Sequence, residues 1–129
     1  MNTNAVCWFE IYVDDMPRAK GFYEFVLNVE LTRLDSPDEP RDFPQPEMWA
    51  FPMKELPGAS GAICKMDGVS AGGNSTLVYF DCEDCSIEES RVFEAGGVIK
   101  VPKMGIGEWG FISIAQDTEG NMIGFHSMK

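Results

Sequence analysis

The stretch Trp8-Phe9-Glu10-Ile11-Tyr12-Val13-Asp14-Asp15-Met16-Pro17 decides how this chain is read. Side chains alternate across an extended backbone, so Phe9, Ile11 and Val13 share one face while Trp8, Glu10 and Tyr12 share the other. The first trio is apolar and suits a core. The second mixes two aromatic rings with a carboxylate, the makeup of a ligand cavity wall. Asp14 and Asp15 then bring N-cap oxygens, and Pro17 stands where a first helical turn tolerates a missing N–H. Met16, Ala19, Phe22, Tyr23 and Val26 recur at helical spacing. A strand therefore passes through an acidic turn into a helix of about three turns, ending near Leu27-Asn28.

The same passage occurs twice. Moving Trp8 to Asp15 by 69 positions lays it on Leu77 to Asp84, where Leu77, Tyr79 and Asp81 alternate with Val78, Phe80 and Cys82. Asp84 caps a second helix running to about Ala95, and Gly96-Gly97 ends it as a left-handed cap does. Moving Gly61 to Met66 by 60 lays it on Asn121 to His126. Further strands are expected at 29–34, 48–53 and 61–66, then at 98–102, 111–116 and 122–127, with turns at Pro57-Gly58 and Thr118 to Asn121. Between them, Asp35 to Pro46 holds Pro37, Pro40, Pro44 and Pro46, which neither a helix nor a central strand accepts. It reads as a loop of lid length, and its Asp38, Glu39 and Asp42 suit attraction of a cation. The order is strand, helix, three strands, written twice, with modules of about 6–68 and 74–129 in one domain of 129 residues.

Composition excludes several partners. Ten Lys and Arg against twenty-one Asp and Glu leave a formal charge of −11. A phosphate backbone or an anionic membrane is repelled by that balance. No run approaches the ~20 apolar residues of a bilayer span, and Met1 to Val6 lacks the basic and apolar regions of an export signal. The expectation is a soluble, cytoplasmic protein, with Cys7, Cys64, Cys82 and Cys85 as free thiols.

With Phe9 to Tyr23, Val78 to Asp84, Gly96-Gly97 and Asp117 to Phe125 in this order, the sequence resembles the vicinal oxygen chelate superfamily, which holds glyoxalase I, extradiol dioxygenases and bleomycin-resistance proteins. The resemblance implies an α+β fold in which two βαβββ modules form a curved mixed sheet around a cavity, usually completed in a homodimer. It also implies a metal ligand from the first and last strand of each module. Those positions fall on Trp8, Cys64, Leu77 and Gly124. Indole has no lone pair to give a metal, and a lone thiolate beside Trp, Leu and Gly offers neither the number nor the kind of ligands that Mg²⁺ or Mn²⁺ needs. No metal and no cofactor is therefore expected at those positions.

Two residues beyond Trp8 and Gly124, with the same facing, stand Glu10 and the chain's single histidine, His126. A carboxylate and an imidazole in one cavity suit proton transfer, with Glu10 as base and His126 as its partner or acid. A purely structural pairing of the two is the plain alternative. Trp8, Tyr12, Trp49, Phe51, Tyr79 and Trp109 are candidate ligand-binding walls, together with Cys64 at its former ligand position. Cys82-x-x-Cys85 reads as core filling, since no second pair completes a zinc site. Gly105, Gly107 and Gly110 form a hairpin loop carrying Trp109 rather than a phosphate cradle.

Three functions follow. The first is a metal-independent enzyme, carrying out isomerisation, lyase chemistry or hydrolysis on a small organic molecule through Glu10 and His126. The second is a non-catalytic binder, resembling bleomycin-resistance proteins, that sequesters a cationic compound in an acidic aromatic groove. The third is a metalloenzyme using Glu10, His126 and Cys64 in a register shifted by two residues, a mixed ligand set that suits zinc better than a hard ion.

Overall fold

The computed structural model describes residues 3–34, 45–55 and 57–129. The elements run β1 (Val6–Tyr12), α1 (Met16–Leu27), β2 (Thr32–Leu34), β3 (Glu47–Ala50), β4 (Ser60–Lys65), β5 (Thr76–Asp81), α2 (Cys85–Val92), β6 (Val98–Gly105), β7 (Phe111–Gln116) and β8 (Met122–Ser127), with a 3₁₀ turn at Gly107–Trp109. The expected order, strand, helix and three strands written twice, is the observed one, and the class is α+β. Most of the Pro-rich loop, with its lid reading, lies outside the described residues.

The chain gathers into two compact units, Phe9–Thr76 and Met1–Trp8 with Leu77–Lys129. In the first, the strand order is β2-β3-β4-β1. β3 pairs antiparallel with both β2 and β4. Val13, Met16, Leu31 and Ile63 form its buried cluster, with Ile11, Ala19, Tyr23, Val29, Trp49 and Phe51 packed against them. Asp15 caps α1 by accepting the Arg18 N–H at 3.0 Å. Asn28 ends the helix in the left-handed region (φ 52°), which Asn adopts more readily than most residues.

The second unit repeats the plan as β6-β7-β8-β5. β7 pairs antiparallel with β6 and β8, and β5 runs parallel to β8. Asp84 caps α2 through the Ser86 N–H at 3.0 Å. The buried Ser127 hydroxyl accepts the Cys85 N–H at 3.0 Å, fixing the start of α2 to the end of β8. Cys85 is wholly buried there, which agrees with its reading as core.

Four boundaries differ from expectation, each for a local reason. β2 starts only at Thr32, because the Leu31 N–H is taken by the Glu24 carboxylate (2.9 Å) and the Val29 N–H by the Glu24 carbonyl (3.2 Å). β3 stops at Ala50: Phe51 still donates to the Gly61 carbonyl, but Pro52 has no N–H to continue the ladder. α2 is shorter, ending at Val92. Gly97 donates back to the Val92 carbonyl (2.9 Å) over a left-handed Gly96, so the cap forms as expected, one turn after the last helical residue. β6 runs past Pro102 to Gly105, tolerated because β6 ends its strand order and its register shifts on both sides of Val101. On α1, Tyr23 follows Met16 by close to two turns and shares its face, whereas Phe22 and Val26 lie off that face and are exposed.

All four cysteines are free thiols. Among the described residues no helix is long and apolar enough to cross a membrane.

Two glycines have opposite expectations. A Cβ on Gly21, inside α1, meets nothing within 4 Å, so Gly21→Ala should raise stability by about 0.5–1 kcal/mol through helix propensity. A Cβ on Gly61 would stand 2.5 Å from the Phe9 ring, and Gly61→Ala should lower stability by about 1–3 kcal/mol. Denaturant midpoints measure both. The Lys103 ammonium at 2.8 Å, with the Ser86 hydroxyl and N–H, holds the Asp84 carboxyl well below its usual range. Below about pH 4 the unfolded chain takes up that proton first, so the stabilisation is complete above this pH and is lost as acid is added. Asp84→Asn should lower the neutral-pH melting temperature and flatten its fall between about pH 5 and about pH 3.

Candidate functional site

In the unit Phe9–Thr76, one sheet face is covered by α1 and the other carries the polar chemistry. Ile63 and its register partner Trp49 pack on the α1 side, so Cys64 and its partner Met48 face the opposite way. On β1, Ile11 belongs to the same core, which turns Glu10 and Tyr12 away from it. The Tyr12 hydroxyl donates to Glu10 Oε1 at 2.7 Å, and Glu10 is only 6 % exposed. Burial, and then the Glu10 charge, push the Cys64 thiol and the Tyr12 phenol far above their ordinary ranges. Both keep their protons at neutral pH, which makes Tyr12 a hydrogen-bond donor to the carboxylate and leaves Cys64 a poor nucleophile. The Glu10 carboxylate can accept a ligand's hydrogen bond or take its proton.

Trp49 and Phe51 stand on the other side of their strand. Trp49 donates from Nε1 to Glu47 at 3.0 Å, and the Lys20 ammonium lies 5.0 Å from its ring centre. Phe51 packs edge-on to Tyr23 and tilted against Phe9, with ring centres 5.6 and 5.7 Å apart. Phe9, Ile11, Tyr23, Leu27, Val29 and Phe51, with Pro52 and Lys54, line an open groove of about 490 Å³ on the α1 side.

In the other unit, parallel register sets Tyr79 opposite Gly124 and Asp81 opposite His126. The buried Tyr79 ring lies over Gly124 so closely that any Cβ there would overlap it. His126 Nε2 is 2.6 Å from the Trp109 carbonyl, so Trp109 acts on the histidine through its backbone while its side chain is 45 % exposed. Trp8 is half-buried at the end of this unit's share of β1. Glu10 and His126 each have partners within their own unit, the Tyr12 phenol for one and the Trp109 carbonyl for the other.

The residue reading missed Cys7 and Asp81. Ligand atoms of Cys7, Asp81 and His126 all lie within 4.8 Å of one another. Alternation puts Asp81 with Tyr79 and His126 with Gly124, but only the β5–β8 register makes Asp81 and His126 neighbours. Cys7 carried no such signal, since it alternates away from Trp8. The Cys82 thiol, pushed up to about 12 by burial and then by Glu88, points at the Phe80 carbonyl (3.6 Å) as a space-filling group.

The superfamily's four ligand positions do not fit a metal. Trp8 has no donor pair, Leu77 is apolar, Cys64 is buried and protonated, and the side-chain space at Gly124 is filled by Tyr79.

No family model matches the sequence, and no curated protein does. Solved structures match over nearly the whole length. A hypothetical protein from Bacillus halodurans superposes with a TM-score of 0.68 at 11% identity, covering 96% of this chain and 94% of that one. A variant of Streptomyces coelicolor methylmalonyl-CoA epimerase, in complex with a nitronate-propionyl-CoA, gives 0.63 at 12% identity, covering 95% and 96%. The chain has the vicinal oxygen chelate fold. A Legionella pneumophila structure titled NAD-dependent benzaldehyde dehydrogenase shares that fold too, at a TM-score of 0.57 and 15% identity, covering 95% and 98%. The vicinal oxygen chelate fold is thus present, with Trp8, Cys64, Leu77 and Gly124 where the sequence resemblance places metal ligands.

Removing the phenol tests the carboxylate's support. Tyr12→Phe should lower stability by about 1–3 kcal/mol, the cost of withdrawing a donor from a buried charged acceptor. Equilibrium unfolding in urea measures it, and Tyr23→Phe, whose ring packs edge-on against Phe51, serves as a comparison.

Proposed function

We propose that this chain binds a small carbonyl-containing organic molecule and moves a proton on it without a metal at the superfamily positions, with Glu10 as the base. The observation that carries the reading is the buried Glu10 carboxylate, held at 2.7 Å by the Tyr12 hydroxyl. A base must be fixed in place and kept from bulk water to take a proton from carbon, and the phenol fixes one carboxylate oxygen. In the step, Glu10 removes a proton from the carbon next to a carbonyl. The C–H electron pair moves into a carbon–carbon double bond, and the carbonyl oxygen gains the charge. A proton delivered from water to the opposite face of the same carbon inverts it, with Glu10 releasing its own proton to solvent, whereas Glu10 returning the proton to a neighbouring carbon isomerises the molecule.

An epimerase bearing an acyl-CoA analogue has this fold, which supports carbonyl compounds and thioesters as the first class to test. His126 is not required by this reading, because one of its ring nitrogens is engaged by the Trp109 carbonyl. The homodimer belongs to the same proposal. Phe22, Phe25 and Val26 on α1 are exposed and offer an apolar surface for a second copy.

A second reading, a binder of cationic compounds, is favoured by the formal charge of −11 together with the same buried carboxylate. One experiment separates the two. The full chain is screened by thermal shift against small keto acids, acyl thioesters and organic amines, and stabilising compounds are incubated in D₂O and followed by NMR. Enzyme-dependent deuterium uptake next to the carbonyl, lowered at least about 100-fold in Glu10→Gln while the thermal shift persists, is the expected result. Uptake unchanged in Glu10→Gln overturns the base assignment. Stabilisation by amines alone, abolished in Glu10→Gln, establishes the binder instead.

A further inference from the structure

We infer that Cys7, Asp81 and His126 form a site for a zinc-type divalent cation, distinct in every residue from the four superfamily ligand positions and independent of the Glu10 reading. The three offer one sulfur, one oxygen and one nitrogen, and their ligand atoms lie within 4.8 Å of one another. Tetrahedral zinc holds such atoms at roughly 2.0–2.3 Å, so they need to close by about 1 Å around the ion. All three side chains are half-buried rather than sealed, which leaves an entry path.

The surroundings orient each ligand. His126 Nε2 faces the Trp109 carbonyl at 2.6 Å, and a carbonyl can only accept. The proton of the neutral imidazole therefore sits on Nε2, and Nδ1 keeps the lone pair for the metal. A ring N–H donated to a backbone carbonyl is the arrangement that commonly holds a metal-binding histidine in place. Asp81 Oδ2 accepts the Thr3 hydroxyl at 2.8 Å, which restrains the carboxylate. The parallel β5–β8 register makes Asp81 and His126 direct neighbours. Cys7 sits against the Tyr79 carbonyl (3.7 Å), and its thiol is held above its ordinary range by burial first and the Asp81 charge second. A divalent cation reverses that balance: thiolate and carboxylate repel each other only while no positive charge lies between them.

Three protein ligands leave a fourth position for water or a ligand atom. A thiolate with an imidazole selects zinc, or cobalt as its stand-in, over magnesium or calcium, which take oxygen ligands. On binding, the Cys7 proton leaves to solvent and one Zn–S bond forms, with no change of oxidation state.

The test uses the full-length protein, stripped with chelator and titrated with Co²⁺ and then Zn²⁺ in physiological salt. The expected result is one equivalent bound at about micromolar affinity or tighter, with a thiolate-to-cobalt absorption band that zinc displaces. Cys7→Ser should abolish that band, while His126→Gln and Asp81→Asn should each weaken zinc binding at least about 10-fold. Asp67→Asn, an exposed change elsewhere, should leave it as it was. Circular dichroism checks that each variant is folded. Should Cys7→Ser fail to fold, the Asp81 and His126 variants decide. Absence of stoichiometric binding overturns the inference, as does binding that the folded variants leave unchanged or a cobalt spectrum without a thiolate band.

Discussion

A strand whose one face must meet a helix has no choice about what the other face carries. Ile11 and Ile63 are committed to the core against Met16 of α1, and the two-residue period then presents Glu10, Tyr12 and Cys64 together on the reverse. The same rule, with α2 anchored to Ser127, sets Tyr79, Asp81, Gly124 and His126 on a shared face of β5 and β8. Both chemical clusters are by-products of where the helices lie.

Much of this was legible in advance. The capping aspartates, Asp15 and Asp84, the helix end at Asn28 and the strands Phe111–Gln116 and Met122–Ser127 follow from turn chemistry and alternation, which are local. The assignment of Glu10 and Tyr12 to one face is local too. Trp49 and Phe51 were placed by residue type alone, and only the Trp49–Ile63 register reveals that Trp49 faces the helix. Cys7 and Asp81 depended still more on pairing, since no pattern along one strand announces its neighbour in a parallel ladder. Phe22 and Val26 share the helical spacing of Met16 and Tyr23, yet the helix buries a narrower face than its count of apolar residues suggests and leaves both exposed.

Tyr79 and Gly124 constrain one another across the β5–β8 ladder. Tyr79 occupies the space above Gly124, so any larger side chain introduced at that position alone would collide with the ring. A glycine in a paired strand leaves a gap that a large ring on the cross-strand neighbour can fill. Placing a metal-binding side chain at position 124 would take coordinated changes on two strands.

The turn that holds Trp109 has a different implication, for engineering. Gly110 has a positive φ of 96°, and a side chain there would run into the Ser127 carbonyl, so the path of this bend is tightly prescribed. What the bend delivers to His126 is a main-chain oxygen, which every amino acid possesses. Position 109 is therefore open to diversification: its indole can be exchanged for acidic, basic or small groups to recolour the mouth of the neighbouring cluster while the imidazole stays aimed as it is.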